Sequence, residues 1–165
     1  MELRPYQIEA KQAILREWED KQRTLLVLPT GCGKTVVFSD VAKDRTQDGR
    51  VLILAHREEL LAQASDKLNK LCGLSCAVEK AEQSCLGSPE PVTVGSVQTM
   101  MSEKRLSNFP KDHFSTVIVD EAHHVMAPSY QNVLTHFDAA KVLGVTATPD
   151  RGDMKDLSEY FESLA

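Results

Sequence analysis

Seven consecutive residues, Pro29-Thr30-Gly31-Cys32-Gly33-Lys34-Thr35, have the types needed to hold a polyphosphate. Gly31 and Gly33 let the backbone curl until several N–H groups point inward at phosphate oxygens. A helix starting at Lys34 adds its positive end. The Lys34 ammonium can reach the β- and γ-phosphates, and the Thr35 hydroxyl can ligate magnesium. The strict form of such a loop has a further glycine where Leu28 stands, so the pattern departs there, while the G-x-G-K-T half is intact. Cys32 lies inside the loop, where a helix start lowers a thiol pKa. It reads either as a reactive thiol or, more plainly, as a tolerated small residue. A second motif, Asp120-Glu121-Ala122-His123, follows the apolar run Thr116-Val117-Ile118-Val119. Two adjacent carboxylates at a strand end are costly unless a cation sits beside them. Asp120 suits a magnesium ion, and Glu121 suits orienting and deprotonating a water molecule. His123 can link this point to the next strand end, whereas His124 reads as packing or as a further site residue. Together the two motifs describe a nucleoside triphosphate site with magnesium and a base for water.

Those residues must be delivered by regular elements, and the hydrophobic pattern supplies them. Apolar residues at helical spacing fill 8–18: Ile8, Ala10, Ala13, Ile14, Leu15 and Trp18. A β-rich run over 24–28 leads into the glycine turn, and a helix is predicted from there over 34–44. Residues 51–55 read as a buried strand, and 58–71 as an amphipathic helix with Leu60, Leu61, Ala64, Leu68 and Leu71 on one side. Short strands are predicted at 76–79, 92–94, 116–119 and 142–145. Helices are predicted to start near Val97 and to cover 130–137. Gly87, Ser88, Pro89 and Pro91 mark 84–91 as a loop. The stretch 104–114 is polar and reads as an exposed connection. Continuous apolar strands separated by helices predict a mostly parallel sheet covered on both faces, an α/β fold.

A chain of 165 residues is long enough for one domain with a substantial core. No stretch of about 18 apolar residues exists, so no membrane span and no membrane partner are expected. The start, Met1-Glu2-Leu3-Arg4-Pro5, lacks the apolar core of a secretory signal. Cys32, Cys72, Cys76 and Cys85 show no C-x-x-C pairing and read as reduced thiols of a cytoplasmic protein. A zinc site from Cys72, Cys76 and Cys85 would lack an evident fourth ligand. The net charge of −5 gives no overall basic face for nucleic acid. Polar and basic groups at loop ends can still bind phosphates on an acidic protein.

The two motifs, with Leu3-Arg4-Pro5-Tyr6-Gln7 upstream and Val145-Thr146-Ala147-Thr148-Pro149 downstream, closely resemble the first RecA-like domain of superfamily 2 helicases and translocases. The D-E-A-H form resembles the restriction-enzyme-like branch, and the resemblance runs from Leu3 to about Arg151. It implies a P-loop NTPase domain that binds ATP and Mg2+. It further implies that Gln7 reads the adenine edge, since a side-chain amide both donates and accepts. Arg4 and Tyr6 would support the base, the plainer role being helix-start chemistry. Ala55-His56-Arg57-Glu58-Glu59-Leu60 resembles the family's motif Ia, which puts Arg57 on a nucleic-acid phosphate. Thr93-Val94-Gly95-Ser96-Val97-Gln98-Thr99 resembles the next strand-contacting motif. Gly95 would permit close backbone approach, and Ser96, Gln98 and Thr99 would offer hydrogen bonds; helix capping is their plain alternative. Thr146-Ala147-Thr148 resembles motif III, in which Thr146 or Thr148 would bond His123 or Asp120 and couple nucleotide to nucleic acid.

Family members complete the ATP site with arginines from a second RecA-like domain. The resemblance therefore implies that residues 1–165 are the first such domain of a longer protein, with the second outside this chain. It also implies weak turnover by the domain alone, and a nucleic-acid partner, DNA ahead of RNA. Arg151 would contact that neighbour or cap a helix. Two other readings are a nucleotide-sensing or protein-binding module on the same fold, and a small-molecule P-loop kinase. The adjacent Asp120 and Glu121 suit water activation better than transfer to an alcohol.

Overall fold

The structure, a computed structural model, describes residues 4–28, 34–55, 76–79, 92–97, 106, 109–147 and 151–164. Pro5 sets the first turn of helix α1 (Pro5–Asp20), where its missing N–H costs nothing. Strand β1 (Arg23–Val27) follows, and then α2 (Lys34–Arg45). Next come β2 (Val51–Ala55), β3 (Cys76–Glu79), β4 (Val92–Ser96) and β5 (Thr116–Asp120). A 3-10 turn at Ala122–His124 leads to α3 (Pro128–His136), β6 (Lys141–Thr146), α4 (Arg151–Tyr160) and β7 (Ser163–Leu164).

The strands form one seven-stranded sheet in the order β3-β4-β2-β5-β6-β1-β7. Every pair is parallel, as the apolar strands require. All strand carboxyl ends therefore lie along one edge. Alternation along each strand divides the core into two layers. Ile14, Trp18, Val37, Phe38 and Val41 from α1 and α2 pack on Leu26, Ile53, Ile118, Leu143 and Val145. On the other face, Tyr130, Val133, Leu134 and Leu157 from α3 and α4 pack on Leu25, Leu54, Val117, Val119 and Val142.

Hydrogen bonds from three side chains fix the direction of the helices on the first face. Trp18, near the end of α1, donates from Nε1 to the Val142 carbonyl, 3.2 Å away at the start of β6. Lys141 Nζ donates to the carbonyls of Trp18 and Lys21 at 2.7 and 3.1 Å, placing a cation at the negative end of α1. Arg45 at the end of α2 donates from Nε to Thr116 Oγ1, 2.7 Å away at the start of β5. Both helices thus end at the amino edge of the sheet and begin at the carboxyl edge. They lie parallel to each other.

The stretch 104–114 departs from the exposed connection that its polarity suggests. Leu106, Phe109 and Phe114 are buried in the second core layer, while Pro110, Lys111 and Asp112 face solvent. The isolated aromatics are too widely spaced to give a periodic signal, yet they pack edge-on with Phe137 at 6.3 and 5.1 Å between ring centroids. His113 sits against Phe109 and Phe114, with centroids at 5.1 and 4.7 Å. Burial pushes its pKa down, the Arg50 charge adds to this, and Asp112 opposes it. On lowering the pH, the unfolded chain protonates at this position before the folded one does. The His113 contribution is present above its unfolded value of about 6.5 and is lost as pH falls toward the lowered folded value. His113→Gln should therefore flatten the fall of melting temperature below about pH 6.5. Parallel pH–melting profiles of parent and variant would contradict this.

Candidate functional site

The carboxyl edge gathers the motif residues because parallel strands end there. β1 stops at Val27, and the Leu28 N–H bonds the Thr146 carbonyl at 3.0 Å, tying it to the end of β6. The chain re-enters the described structure at Lys34, the first residue of α2. Pro29, Thr30, Gly31, Cys32 and Gly33 lie outside the described residues, and only the backbone of Lys34 and Thr35 is described. The glycine-bearing segment 29–33 is thus bounded on both sides. It leaves from one strand end and returns at a helix start on the same edge, the place where open α/β sheets bind ligands.

Asp120 ends β5 and pairs in register with Val145, while Val27 pairs with Thr146 on the far side of β6. Its side can be read from alternation. Thr116 accepts a bond from α2, and Ile118 packs in the α1–α2 layer. Asp120, two residues further on, continues the same face, toward α2. The Glu121 N–H donates to Asp120 Oδ1 at 2.9 Å, which orients that carboxylate. Glu121 has φ 54° and ψ 52°, the left-handed region. It is the one non-glycine residue with positive φ among the described residues. That conformation costs a side chain roughly 1–2 kcal/mol. Buried Ala122 and Val125 anchor the turn that enforces it. The left-handed turn breaks the strand alternation at Glu121, so the second carboxylate lies beside His123 instead of continuing onto the opposite face of the sheet.

His123 stands between Glu121 and Thr146. Its Nδ1 lies 3.2 Å from Thr146 Oγ1 and 3.7 Å from Glu121 Oε2. The first is a hydrogen bond; the second exceeds hydrogen-bond range. Thr146 is buried at the end of β6. The contact raised from sequence between the histidine and the Thr146-Ala147-Thr148 segment is thus made by Thr146. Thr148 lies outside the described residues, as does the His124 side chain. Tyr130 is fully buried below this turn. Burial pushes its phenol pKa up, and the charges of Asp120 and Glu121 push it further, which marks it as a neighbour of the acidic pair. Sequence periodicity gave Tyr130 only a place at a helix start. The signal for more was its polarity at a core position.

At the other end of the site, the Arg4 N–H donates to Gln7 Oε1 at 2.8 Å. Gln7 is 5% exposed, so its carbonyl oxygen is engaged in starting α1. Arg4 is exposed and Tyr6 is 37% exposed. The direction of α1 puts all three at the carboxyl edge. Gly95 and Ser96 end β4 on the same edge, with β2 between them and β5. Arg57, Gln98 and Thr99 lie outside the described residues, and Arg151 opens α4 with only its backbone described.

Among the described residues, no group of three His, Cys, Asp or Glu side chains is placed to hold a metal ion. Cys76 lies on β3, and Cys72 and Cys85 are outside the described set. Among the described residues no helix is long and apolar enough to cross a membrane. A cavity of about 230 Å³ lined by Arg23, Leu134, Phe137, Val142 and Tyr160 lies at the opposite, amino edge, away from the acidic pair.

Residues 1–151 match the family model for the type III restriction enzyme, res subunit. The chain is 34% identical over 178 residues to the putative ATP-dependent helicase IRC3 of Saccharomyces cerevisiae, covering 98% of this chain and 26% of that protein. It is 32% identical over 155 residues to the DNA 3'-5' translocase XPB2 of Sulfurisphaera tokodaii, covering 94% and 33%. In fold it resembles the Hef helicase domain of Pyrococcus furiosus, with a TM-score of 0.81 at 24% identity over 98% of this chain and 37% of that one. The chain therefore spans 26% and 33% of the two curated relatives. By its family match and its parallel sheet, the chain belongs to the type III restriction enzyme res-subunit family and has the RecA-like fold of the superfamily 2 helicase domains it resembles.

Proposed function

We propose that this domain is the ATP-binding half of a nucleic-acid helicase or translocase. One observation carries the reading: Lys34 at the start of α2 and Asp120, Glu121, His123 and Thr146 all converge on one sheet edge. Residues 30–35 hold the triphosphate through backbone N–H groups and the Lys34 ammonium. Thr35 and Asp120 supply the protein oxygens for magnesium, which when bound neutralises phosphate charge. Glu121 takes a proton from the attacking water. His123, held by Thr146, keeps Glu121 in register with the end of β6, and Thr146 with Thr148 passes nucleotide state along that edge. Gln7 and Arg4 face the base. Arg57, Gly95, Ser96, Gln98 and Thr99 grip a nucleic-acid backbone, and the DNA-translocase name of one relative favours DNA over RNA.

Efficient turnover in this reading needs a second RecA-like domain that supplies arginines to the developing phosphate charge. Such groups raise turnover by about 10³–10⁵ in related phosphoryl transfer. The domain alone then binds Mg-ATP and hydrolyses it slowly. Calorimetric titration of Mg-ATP into the parent and Lys34→Ala is the direct test. Loss of the charged hydrogen bonds should weaken binding by about 10–100-fold. Equal affinity in the two proteins would sink the phosphate-site assignment.

A further inference from the structure

A half-buried ion cluster joins the two helices that open onto the site. Lys11 Nζ lies 2.5 Å from Asp40 Oδ2 and 2.6 Å from Asp44 Oδ2. The Lys11 and Asp40 side chains are only 21% and 24% exposed, and Asp44 is 45% exposed. Burial alone would lower the Lys11 pKa, yet the contacts and charges of Asp40 and Asp44 prevail and raise it. Asp40 and Asp44 sit four apart on α2 and toward its C-terminal end. Like charges at that spacing repel, and Asp44, in the last turn, also opposes the helix dipole. Local helix chemistry therefore disfavours both, and the shared ammonium from α1 is what compensates them.

The cluster has leverage on the site because α1 and α2 are parallel and both begin at the carboxyl edge. Lys11 is one turn beyond Gln7, about 6 Å along α1, and Asp40 is about 9 Å along α2 from Lys34. We infer that Lys11 is a positioning residue: by gripping Asp40 and Asp44 it sets the offset between the base-facing start of α1 and the phosphate-facing start of α2. The inference rests on the ATP-site reading above. Two carboxylates a turn apart hold one ammonium against sliding in either direction along α2, which a single pair would not do. A shift of about 1 Å between a ligand's two anchors is enough to cost binding and rate.

A ligand with both base and phosphates feels this offset; one with phosphates alone does not. The test is titration of the 165-residue chain with Mg-ATP and with magnesium tripolyphosphate, for parent, Lys11→Met, Lys11→Arg and Asp44→Asn. Lys11→Met should lose about five- to tenfold in ATP affinity and stay within about twofold for tripolyphosphate. Lys11→Arg should restore most of the loss. Asp44→Asn keeps one partner and the ammonium, so it should show the same selectivity at smaller size even if Lys11→Met folds poorly. Equal effects on both ligands, or none on either, would overturn the positioning role and leave the ATP site standing. A parent chain that binds neither ligand would remove the ATP-site reading and this inference with it.

Discussion

Glu121→Gln, placed in a chain that carries the proposed second RecA-like domain, should bind Mg-ATP within about twofold of its parent and lose turnover by about 10²–10⁴. The substitution is nearly isosteric. It keeps the size of the side chain and the backbone N–H that bonds Asp120 Oδ1. It removes only the ability to take a proton. Position 121 is reached by a left-handed turn that points its side chain away from the strand line, next to His123. That turn persists with an amide in place of the carboxylate, because buried Ala122 and Val125 hold it. Phosphate release in the presence of nucleic acid, with nucleotide affinity measured in parallel, reads both halves of the expectation. Turnover retained in Glu121→Gln would move the base to another residue. Turnover and affinity lost together would instead make Glu121 part of the binding site.

Much of this arrangement is legible in the chain itself, because parallel buried strands leave a strong signal. The runs at 51–55, 92–94, 116–119 and 142–145 all fall in strands, extended by one or two residues where polar ends such as Asp120 and Thr146 still pair. Strand 76–79 is met as expected, and the helix expected over 130–137 runs from Pro128 to His136. Motif spacing placed Asp120 at a strand end for the same reason: an apolar run must stop where a carboxylate begins. Other features carry no such signal. A left-handed Glu121 is invisible because most residues that adopt positive φ are Gly, Asn or Asp. The Lys11 cluster joins residues 29 and 33 positions apart, and nothing local distinguishes its acids from a solvated helix face. Phe109 and Phe114 hide in a polar stretch because their spacing follows neither a helix nor a strand period. The chain after Arg151 is the largest omission. Its polar helix α4 buries Leu157, and Phe161 follows just beyond the helix, too few for a periodic pattern.

That last segment completes the sheet, and Gly144→Ala should expose its importance. A Cβ at position 144 would lie 2.2 Å from Phe161 Cζ and 2.9 Å from both adjacent ring carbons. The ring has little room to withdraw. Phe161 N–H bonds the Leu157 carbonyl at 2.8 Å, and the next residue is fastened to the start of β1. Glu162 N–H bonds the Arg23 carbonyl at 3.0 Å, and its Oε1 accepts from the N–H groups of Gln22 and Arg23 at 3.2 Å each. Arg23 in turn donates from Nε to the Tyr160 carbonyl at 2.8 Å and lies over the Tyr160 ring. The added methyl must therefore displace an aromatic ring anchored on both sides. Overpacking of this kind costs about 3 kcal/mol, more than a hundredfold in the folding equilibrium. For a domain of this size that is a fall in melting temperature of roughly 6–12 °C. Phe161→Leu, which replaces the ring with a shorter side chain, should recover part of the loss in the double variant, since residues in contact do not add. Strict additivity of the two would mean that Phe161 is not what confines position 144. The strain would also reach the site, because Thr146, the partner of His123, is only two residues along β6. Gly144→Ala should thus weaken Mg-ATP binding at temperatures where the chain is still folded, whereas a loss confined to stability would show that the end of β6 is insulated from its middle.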